Sequence, residues 1–545
     1  MGVVIVDGIE VEVGPQERLN GIQAAERAGI DIPRYCWHPG LSVVASCRMC
    51  LVETGNRNPE SGAVTMFPKL VPACQTPAKD GTVFITTSDK VKQSRAFVEE
   101  ALLIDHPIDC PICDKAGECY LQDYHFEHGQ KERRADIAPF TSRRRDMGDT
   151  VTLFVDRCVM CTRCVRFTRE IAGTSELLVI NRGAHEEIDV IDGFPLENKL
   201  AGNVVDLCPV GALGDKDFLY SQRVWFMQRH PQVCTGCSTG CSIYTEENQD
   251  RVYRVKPREN PHVNQWWICD DGRYGYHHVH SEERLIGAVR QAGDATEALE
   301  WSAALPAVTA ALEAAGRLAA VLSPHLTVEE AYALAKWIRQ LDPEAVLALG
   351  PVTTVGADET FKNGFTIRAE KCPNRRGVEE VLRHFTGGVT PFEALVAEVD
   401  AGKIGGLWVT AGSPTCWIDD STAERLAQVS QLVVQDLFAS PLWERATFRL
   451  PGVSFAERAG SYVNVADRLQ TAAWAVRPPA GARVEGSVYW ELLGYRGLYA
   501  PRRILDEVAQ TIPYFAAAAE PVPPTGVALK APELAAAHAA AGGQP

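Results

Sequence analysis

The chain has 545 residues, of which 46% are hydrophobic, enough for three or four domains at the usual ~100–200 residues each, so a lone small module is excluded. Its formal net charge is −16 and no block rich in Lys and Arg occurs, which argues against a nucleic-acid partner. The first residues lack a basic and apolar leader, and the apolar stretch 305–322 is interrupted by Glu313 and Arg317, so we expect a cytosolic chain without a membrane anchor of its own.

The cysteines are unevenly distributed along the chain. Fifteen of the 17 lie between Cys36 and Cys269, and only Cys372 and Cys416 follow. The odd total, the C-x2-C pairs and the lack of a secretory signal argue against a disulfide framework. We therefore interpret most of these cysteines as thiolate ligands of metal centres.

Residues 1–80 have the pattern of a β-grasp domain of the ferredoxin type. Two β-rich runs within residues 3–13 flank an Asp7-Gly8 turn, and a helix is predicted over residues 18–28, where Gly29 ends it. The first cysteine set has three members on one loop and a distant fourth, as in plant-type [2Fe–2S] ferredoxins, although its first gap is wider. A structural zinc site is the alternative. This set is Cys36, Cys47, Cys50 and Cys74.

The second set lies in a helical segment, residues 81–135, with the spacing H-x3-C-x2-C-x5-C. It consists of His106, Cys110, Cys113 and Cys119. Three thiolates leave a four-iron cubane one ligand short, and His106 is the nearest donor, although an isolated histidine is usually an ordinary surface or core residue. His125 and His128 are interpreted as ordinary histidines.

Residues 136–225 keep half of the two-cluster bacterial ferredoxin pattern. The triplet C-x2-C-x2-C is followed by a distant Cys-Pro, which predicts a single [4Fe–4S] centre in a ferredoxin-like domain. Its ligands are Cys158, Cys161, Cys164 and Cys208. The flanking Arg157, Arg163 and Arg166 could offset the charge of an anionic cluster, although such arginines are more often solvated.

The fourth set belongs to a small domain, residues 226–282, and has the spacing C-x2-C-x3-C-x27-C. It consists of Cys234, Cys237, Cys241 and Cys269. The segment resembles the [4Fe–4S] domain of molybdopterin-dependent formate dehydrogenases and nitrate reductases. Those enzymes commonly carry a lysine two residues after the last cysteine, where this chain has Asp271, which counts against electron exchange with a pterin. A zinc ribbon is the alternative.

The cysteine-poor remainder, residues 283–516, predicts a doubly wound α/β layer. Strand-like runs at 318–322, 345–349, 406–409 and 432–434 alternate with helices, one of them opened by the capping box Thr327-x-x-Glu330. Cys372 is interpreted as a free core cysteine rather than a molybdenum ligand. The Pro- and Ala-rich residues 517–545 are expected to form a mobile tail.

Four motifs in this order resemble the large iron–sulfur subunit of bacterial NADH:quinone oxidoreductase, respiratory complex I. The likeness is carried by three local sequences, which are Ser-Cys-Arg-Met-Cys around Cys47, His106 through Asp123, and Phe455–Asn464. The third of these resembles a molybdopterin-oxidoreductase-like domain, which is shorter here than in that subunit. The resemblance implies one [2Fe–2S] and three [4Fe–4S] clusters, with His106 as a ligand. No molybdopterin is expected, because Asp271 replaces the lysine and the α/β domain is short.

The same resemblance implies an electron-relay role without catalytic residues. Electrons would arrive from a flavin- and NADH-binding partner, pass the Cys36, Cys158 and His106 sets in turn, and leave toward a two-cluster ferredoxin-like partner among the other peripheral-arm subunits. The chain would lie at the cytoplasmic side of the membrane and meet it only through the complex. Neither G-x-G-x-x-G nor G-x4-G-K-[ST] occurs, so no motif nominates an NADH or flavin site.

Other functions compete with this interpretation. An iron-only hydrogenase would need further cysteines after the relay domains, and a formate dehydrogenase is disfavoured by Asp271 and the short α/β domain. A diaphorase subunit of an NAD-linked hydrogenase would typically end near residue 240. A non-redox zinc scaffold would contain zinc without sulfide, which metal analysis detects.

Overall fold

The computed structural model describes residues 2–132, 134–183, 185–293 and 295–530. The chain forms two compact units. The first comprises Met1–Met227 with Phe361–Asn363, and the second comprises Gln228–Thr360 with Gly364–Pro545. Within the described residues, no helix has the combination of length and apolar character that crossing a membrane requires.

The first unit is built from short strands and helices around cysteine loops. Its strands are β1 Gly2–Val6, β2 Ile9–Val13, β3 Leu51–Arg57, β4 Val64–Met66, β5 Val71–Pro72, β6 Thr82–Ile85, β7 Arg144–Asp146, β8 Val151–Phe154, β9 Leu177–Ile180, β10 Glu187–Val190 and β11 Leu213–Asp215. Its helices are α1 Gly21–Arg27, α2 Asp89–Ile104, α3 Tyr120–His128, α4 Arg163–Phe167 and α5 Asn203–Leu207.

A six-stranded sheet opens the first unit. Its order is β2-β1-β6-β3-β4, with β5 paired to β3, and β1 runs parallel to β6. The predicted hairpin is confirmed, because Asp7 and Gly8 both have the positive φ that a tight turn between β1 and β2 requires. The predicted helix is confirmed as α1, which a capping box between Asn20 and Gln23 begins. Ile22 and Phe84 pack in the core of this sheet and brace the cysteine loop.

The second unit begins with the small sheet β12 Gln228–Val233, β13 Ser242–Asn248 and β14 Arg251–Pro257. Its remaining strands are β15 Ala288–Ala292, β16 Ala295–Leu299, β17 Leu318–Leu322, β18 Val346–Leu349, β19 Glu359–Thr360, β20 Thr366–Ile367, β21 Gly406–Thr410, β22 Gln431–Asp436, β23 Phe448–Pro451, β24 Gly460–Val463, β25 Arg468–Ala472 and β26 Val527–Ala528. Its helices are α6 Asp270–Tyr274, α7 Trp301–Ala314, α8 Val328–Leu341, α9 Arg375–Thr386, α10 Phe392–Asp400, α11 Asp420–Leu426, α12 Glu485–Leu492 and α13 Pro501–Thr511.

A seven-stranded sheet in the order β16-β15-β23-β22-β21-β17-β18 forms the centre of the second unit. The strands β23, β22, β21, β17 and β18 are mutually parallel, and each face of the sheet is buried in its own core. Trp408 belongs to one core and its neighbours Leu407 and Val409 to the other, because successive side chains of a strand point to opposite faces. The four predicted strands are confirmed, and so is the capping box of α8.

The end of the described chain differs from the expected mobile tail. Residues Val527–Ala528 form β26, which pairs with Arg468 and Leu469 of β25. Residues 517–530 therefore contribute to the packed second unit, because Ala518 belongs to its core and Val522, Val527 and Leu529 pack against that core. Residues 531–545 lie outside the described residues.

Candidate iron–sulfur sites

All 17 cysteines lie within the described residues, and none of them forms a disulfide. Among those residues, no three His, Cys, Asp or Glu side chains are arranged to hold a single metal ion. Fifteen of the 17 cysteines belong to the four sets predicted from the spacing, and members of each set lie near one another.

The first set brings its four thiols into direct contact. Cys36 shares side-chain hydrogen bonds with Cys47 and Cys74, and Cys74 also bonds to Cys50. These bonds lower the pKa of Cys36 and raise the pKa of Cys47 and Cys74. The loop can fold so tightly because Ala45 and Arg48 adopt left-handed backbone conformations. Four convergent thiols fit a [2Fe–2S] cluster, whose binding requires their ionisation.

Three members of the second set line a cavity of about 380 Å³. These members are His106, Cys110 and Cys119. Burial raises the pKa of Cys119 to about 11, and the nearby Cys113 contributes to the same rise. The Nδ1 atom of His106 is buried without a hydrogen-bond partner, and burial lowers the imidazole pKa to about 4. A neutral imidazole with a buried unpartnered nitrogen fits a metal ligand. The same cavity is also lined by His125, which the sequence did not nominate.

Gly211 supplies close packing against the second set. An ideal Cβ atom at Gly211 would lie 2.1 Å from the Sγ atom of Cys113, well inside any real contact. The Cys113 thiol can therefore occupy this position only because residue 211, which lies 98 positions further along the chain, is a glycine. Arg223 Nη1 donates a 2.8 Å bond to the carbonyl oxygen of Cys113 and fixes the same loop from another side.

The third set lines one small cavity, which contains all four of Cys158, Cys161, Cys164 and Cys208. Burial raises the pKa of Cys161 to about 11 and holds the pKa of Cys164 well above its usual value. Met160 and Thr162 have left-handed backbone conformations, which curl the C-x2-C-x2-C loop around the cavity. Burial thus favours the protonated form of Cys161 and Cys164, and binding of a metal would displace their protons.

The flanking arginines are buried rather than solvated. Arg157, Arg163 and Arg166 are 3%, 5% and 2% exposed. Arg157 Nη2 donates a 2.9 Å bond to Asp109 Oδ2, immediately before Cys110 of the second set. The backbone N–H of Tyr120, which follows Cys119 of the second set, donates a 2.9 Å bond to the carbonyl oxygen of Pro209. Since Pro209 follows Cys208 of the third set, this bond connects the two sets.

The fourth set lies in the second unit, where Cys234, Cys237, Cys241 and Cys269 line one small cavity. Burial raises the pKa of Cys234 to about 12. The cysteine loop is held by the segment whose sequence resembles the molybdopterin-oxidoreductase-like domain. Asn464 Nδ2 donates a 3.0 Å bond to the carbonyl of Thr239, and Gln470 Nε2 donates a 2.7 Å bond to that of Gly240.

The cavity of the fourth set contains a lysine that the sequence analysis missed. Lys371 lines it together with Asp271, and its charge lowers the pKa of Cys234 against the larger effect of burial. The motif lacks a lysine at position 271, but a cation from a loop 100 residues further on reaches the same cavity. No local spacing signals this placement, because it depends on how the α/β domain folds back over the cysteine loop. Cys372, its neighbour in sequence, does not line that cavity.

Four family profiles match the chain in the order of the sets. A 2Fe-2S iron-sulfur cluster binding domain matches residues 3–89, and an NADH-ubiquinone oxidoreductase-G iron-sulfur binding region matches residues 95–134. An NADH-quinone oxidoreductase subunit 3, ferredoxin-like domain, matches residues 148–214, and a molybdopterin oxidoreductase Fe4S4 domain matches residues 227–281. Binding of 2Fe–2S and 4Fe–4S clusters follows from these matches.

Individual relatives agree with the profiles. The chain is 37% identical over 340 residues to the G-type subunit of the NADH-quinone oxidoreductase of Streptomyces coelicolor, covering 61% of this chain and 39% of that protein. It is 33% identical over 410 residues to the mitochondrial NADH-ubiquinone oxidoreductase 78 kDa subunit of Candida albicans, covering 74% and 54%. The matched segments thus span about half or less of these relatives' lengths. A solved NAD+-reducing [NiFe]-hydrogenase chain is 26% identical, with a TM-score of 0.35, over 41% of this chain and 91% of that one.

Proposed function

Since its iron–sulfur region, residues 3–281, belongs to the family of G-type subunits of NADH-quinone oxidoreductase, we propose that this chain relays electrons between other subunits of such a complex. The observation that carries the proposal is the chain of buried contacts among the three cysteine sets of the first unit. The third set touches the first through Arg166 and the second through Arg157. A relay needs centres that are close together and shielded from water.

We assign four cluster sites to the chain. One [2Fe–2S] cluster is held by the first set and one [4Fe–4S] cluster by each of the other three. The ligands are Cys36, Cys47, Cys50, Cys74, His106, Cys110, Cys113, Cys119, Cys158, Cys161, Cys164, Cys208, Cys234, Cys237, Cys241 and Cys269. The domains follow the sets: a β-grasp domain, a His/Cys3 helical segment, a ferredoxin-like domain, a small cluster domain and a doubly wound α/β domain.

The protein's own contribution is to bind the clusters, exclude water and set the surrounding charge. The clusters, when bound, supply one-electron storage. Burial raises the pKa of Cys161 and Cys164, so binding of iron would release the protons of these thiols. The buried guanidinium groups of Arg157, Arg163 and Arg166 then offset the negative charge of the thiolate-bound centres.

The route begins at the Cys36 set, continues at the Cys158 set and ends at the His106 set. Electrons come from a flavin- and NADH-binding partner and leave toward a two-cluster ferredoxin-like subunit on the way to quinone. The complex lies at the cytoplasmic side of the membrane. The fourth set lies off this route and stabilises the second unit, since Cys234 and Cys269 tie two segments of the chain to one centre.

The test uses the full chain, purified anaerobically, with the flavin- and NADH-binding partner subunit. After NADH is added, low-temperature electron paramagnetic resonance follows the reduction of each centre. We expect reduction when the partner is present and none when it is absent. Clusters that dithionite reduces but that NADH with the partner leaves oxidised would contradict the relay function. A Cys208→Ser chain is the control, because its Cys36 centre should be reduced while the His106 centre stays oxidised.

A further inference from the structure

Arg166 lies on the short helix α4, two residues after Cys164, the last cysteine of the C-x2-C-x2-C triplet of the third set. Its side chain is turned inward and is only 2% exposed. A buried guanidinium is costly unless hydrogen bonds and opposite charges compensate for the loss of water. The contacts of Arg166 therefore indicate which groups supply that compensation.

One nitrogen of Arg166 joins the first and third sets. Its Nη2 atom donates a 2.5 Å bond to the carbonyl oxygen of Cys36 and a 3.1 Å bond to that of Cys161. Its Nη1 atom donates to the carbonyl oxygen of Ser42, within the loop of the first set. A single side chain thus holds the backbone of one ligand from each of two proposed clusters.

Arg163, one helical turn earlier, makes a parallel connection. Its Nη2 atom donates a 2.7 Å bond to the carbonyl oxygen of Trp37, the residue after Cys36. Its Nη1 atom donates a 3.2 Å bond to the carbonyl oxygen of Leu207, the residue before Cys208. The two arginines therefore clamp the same pair of cysteine loops.

The positive charge of Arg166 has no carboxylate bonded to it among the described residues. The oxygens that it contacts are three carbonyls and the hydroxyl of Thr162. Glu170, whose charge acts on Arg166, bonds to Ser42 and forms an ion pair with Arg169 at 3.0 Å. Arg157 differs in this respect, because Asp109 neutralises it directly. The remaining negative charge beside Arg166 comes from the thiols of the first and third sets once they are ionised.

We propose that Arg166 is a positioning residue shared by the Cys36 and Cys158 centres, which fixes their separation and raises the reduction potentials of both. The proposal rests on the proposed cluster occupancy of these two sets. A cation near a cluster favours the reduced form, which carries one more negative charge. Because one guanidinium serves both centres, its removal shifts the two potentials together.

The experiment compares three variants of the anaerobically purified full chain. Arg166→Gln removes the shared charge, and Arg166→Lys keeps the charge while losing the forked geometry. Arg169→Gln is the matched control, because Arg169 lies three residues further on with 61% of its side chain exposed. The midpoint potentials of both centres are measured by redox titration with electron paramagnetic resonance, and thermal unfolding is measured alongside.

We expect Arg166→Gln to shift the reduction equilibrium of both centres at least tenfold toward the oxidised form, about 59 mV for a one-electron couple. Arg166→Lys should keep both potentials close to those of the unaltered chain but lower the unfolding temperature. Arg169→Gln should change neither potential. A shift confined to one centre, a shift no larger than that of Arg169→Gln, or equal shifts in the Lys and Gln variants would overturn the proposal.

Two safeguards keep the outcome interpretable. If Arg166→Gln loses a cluster, Arg163→Gln replaces it, and both potentials must again fall together for the proposal to stand. Iron content and spectra of the unaltered chain are recorded first. An unaltered chain without the two clusters refutes the proposed function itself, whereas unchanged potentials in a fully loaded Arg166→Gln chain refute only the role of Arg166.

Discussion

Replacing Gly211 by Ala should remove one cluster and leave the others in place. The new Cβ atom would lie 2.1 Å from Cys113 Sγ, whereas carbon contacts are ordinarily about 3.5–4 Å. Relieving this overlap requires a movement of roughly 1.5 Å, far more than the ~0.2 Å within which a metal–ligand distance is held. Overpacking of this kind also costs about 1–3 kcal/mol of stability. We therefore expect loss of the His106 centre.

The assay is the iron content and the electron paramagnetic resonance spectrum of the reduced full chain. About 14 irons per chain are expected without the substitution and about 10 with it. Gly236→Ala is the matched control, because its Cβ atom would meet Cys234 Sγ at 3.6 Å, an ordinary contact, and all irons should remain. A Gly211→Ala chain with full iron and an unchanged spectrum would refute the placement of Cys113 as a ligand.

Three further substitutions test individual residues. Cys208→Ser should lose one cubane or leave it labile, whereas Cys372→Ser should keep the full iron content; equal iron in both would contradict the ligand assignment. His106→Cys should lower the reduction potential of its centre, because a thiolate adds a negative charge, while His125→Gln should leave that potential unchanged. If redox titration finds no shift for His106→Cys, His106 is not a ligand of the centre. Lys371→Met should lower the potential of the Cys234 centre without loss of iron, and an unchanged midpoint would show that its ammonium does not act on that centre.

The parts of the fold that local patterns specify were predictable. The Asp7-Gly8 turn demands positive φ, the Thr327 capping box satisfies orphan N–H groups, and the continuous apolar run Leu318–Leu322 suits a strand buried on both faces. The cysteine spacings likewise nominated the Cys36, Cys158 and Cys234 sets, whose four thiols the structure brings together in each case, and three of the four members of the His106 set, which line one cavity. Each of these signals lies within a short stretch of sequence.

The residues that complete the sites were not predictable, because they come from distant segments. Gly211 packs on Cys113, and Lys371 lines the cavity of Cys234, only after the chain has folded. The arginines near Cys161 were visible in the sequence, but their charge made solvent exposure the ordinary expectation. Burial of Arg166 becomes understandable when the carbonyls of Cys36 and Ser42 are seen to receive its bonds.

The central claim is that this one chain holds four iron–sulfur clusters. The most direct measurement is quantitative iron and sulfide analysis of the anaerobically purified chain, combined with Mössbauer and electron paramagnetic resonance spectra that count each cluster type. We predict about 14 irons with matching sulfide, divided between one [2Fe–2S] and three [4Fe–4S] clusters. Zinc at the cysteine sets without sulfide, or a chain that takes up no more than one cluster, would contradict the account.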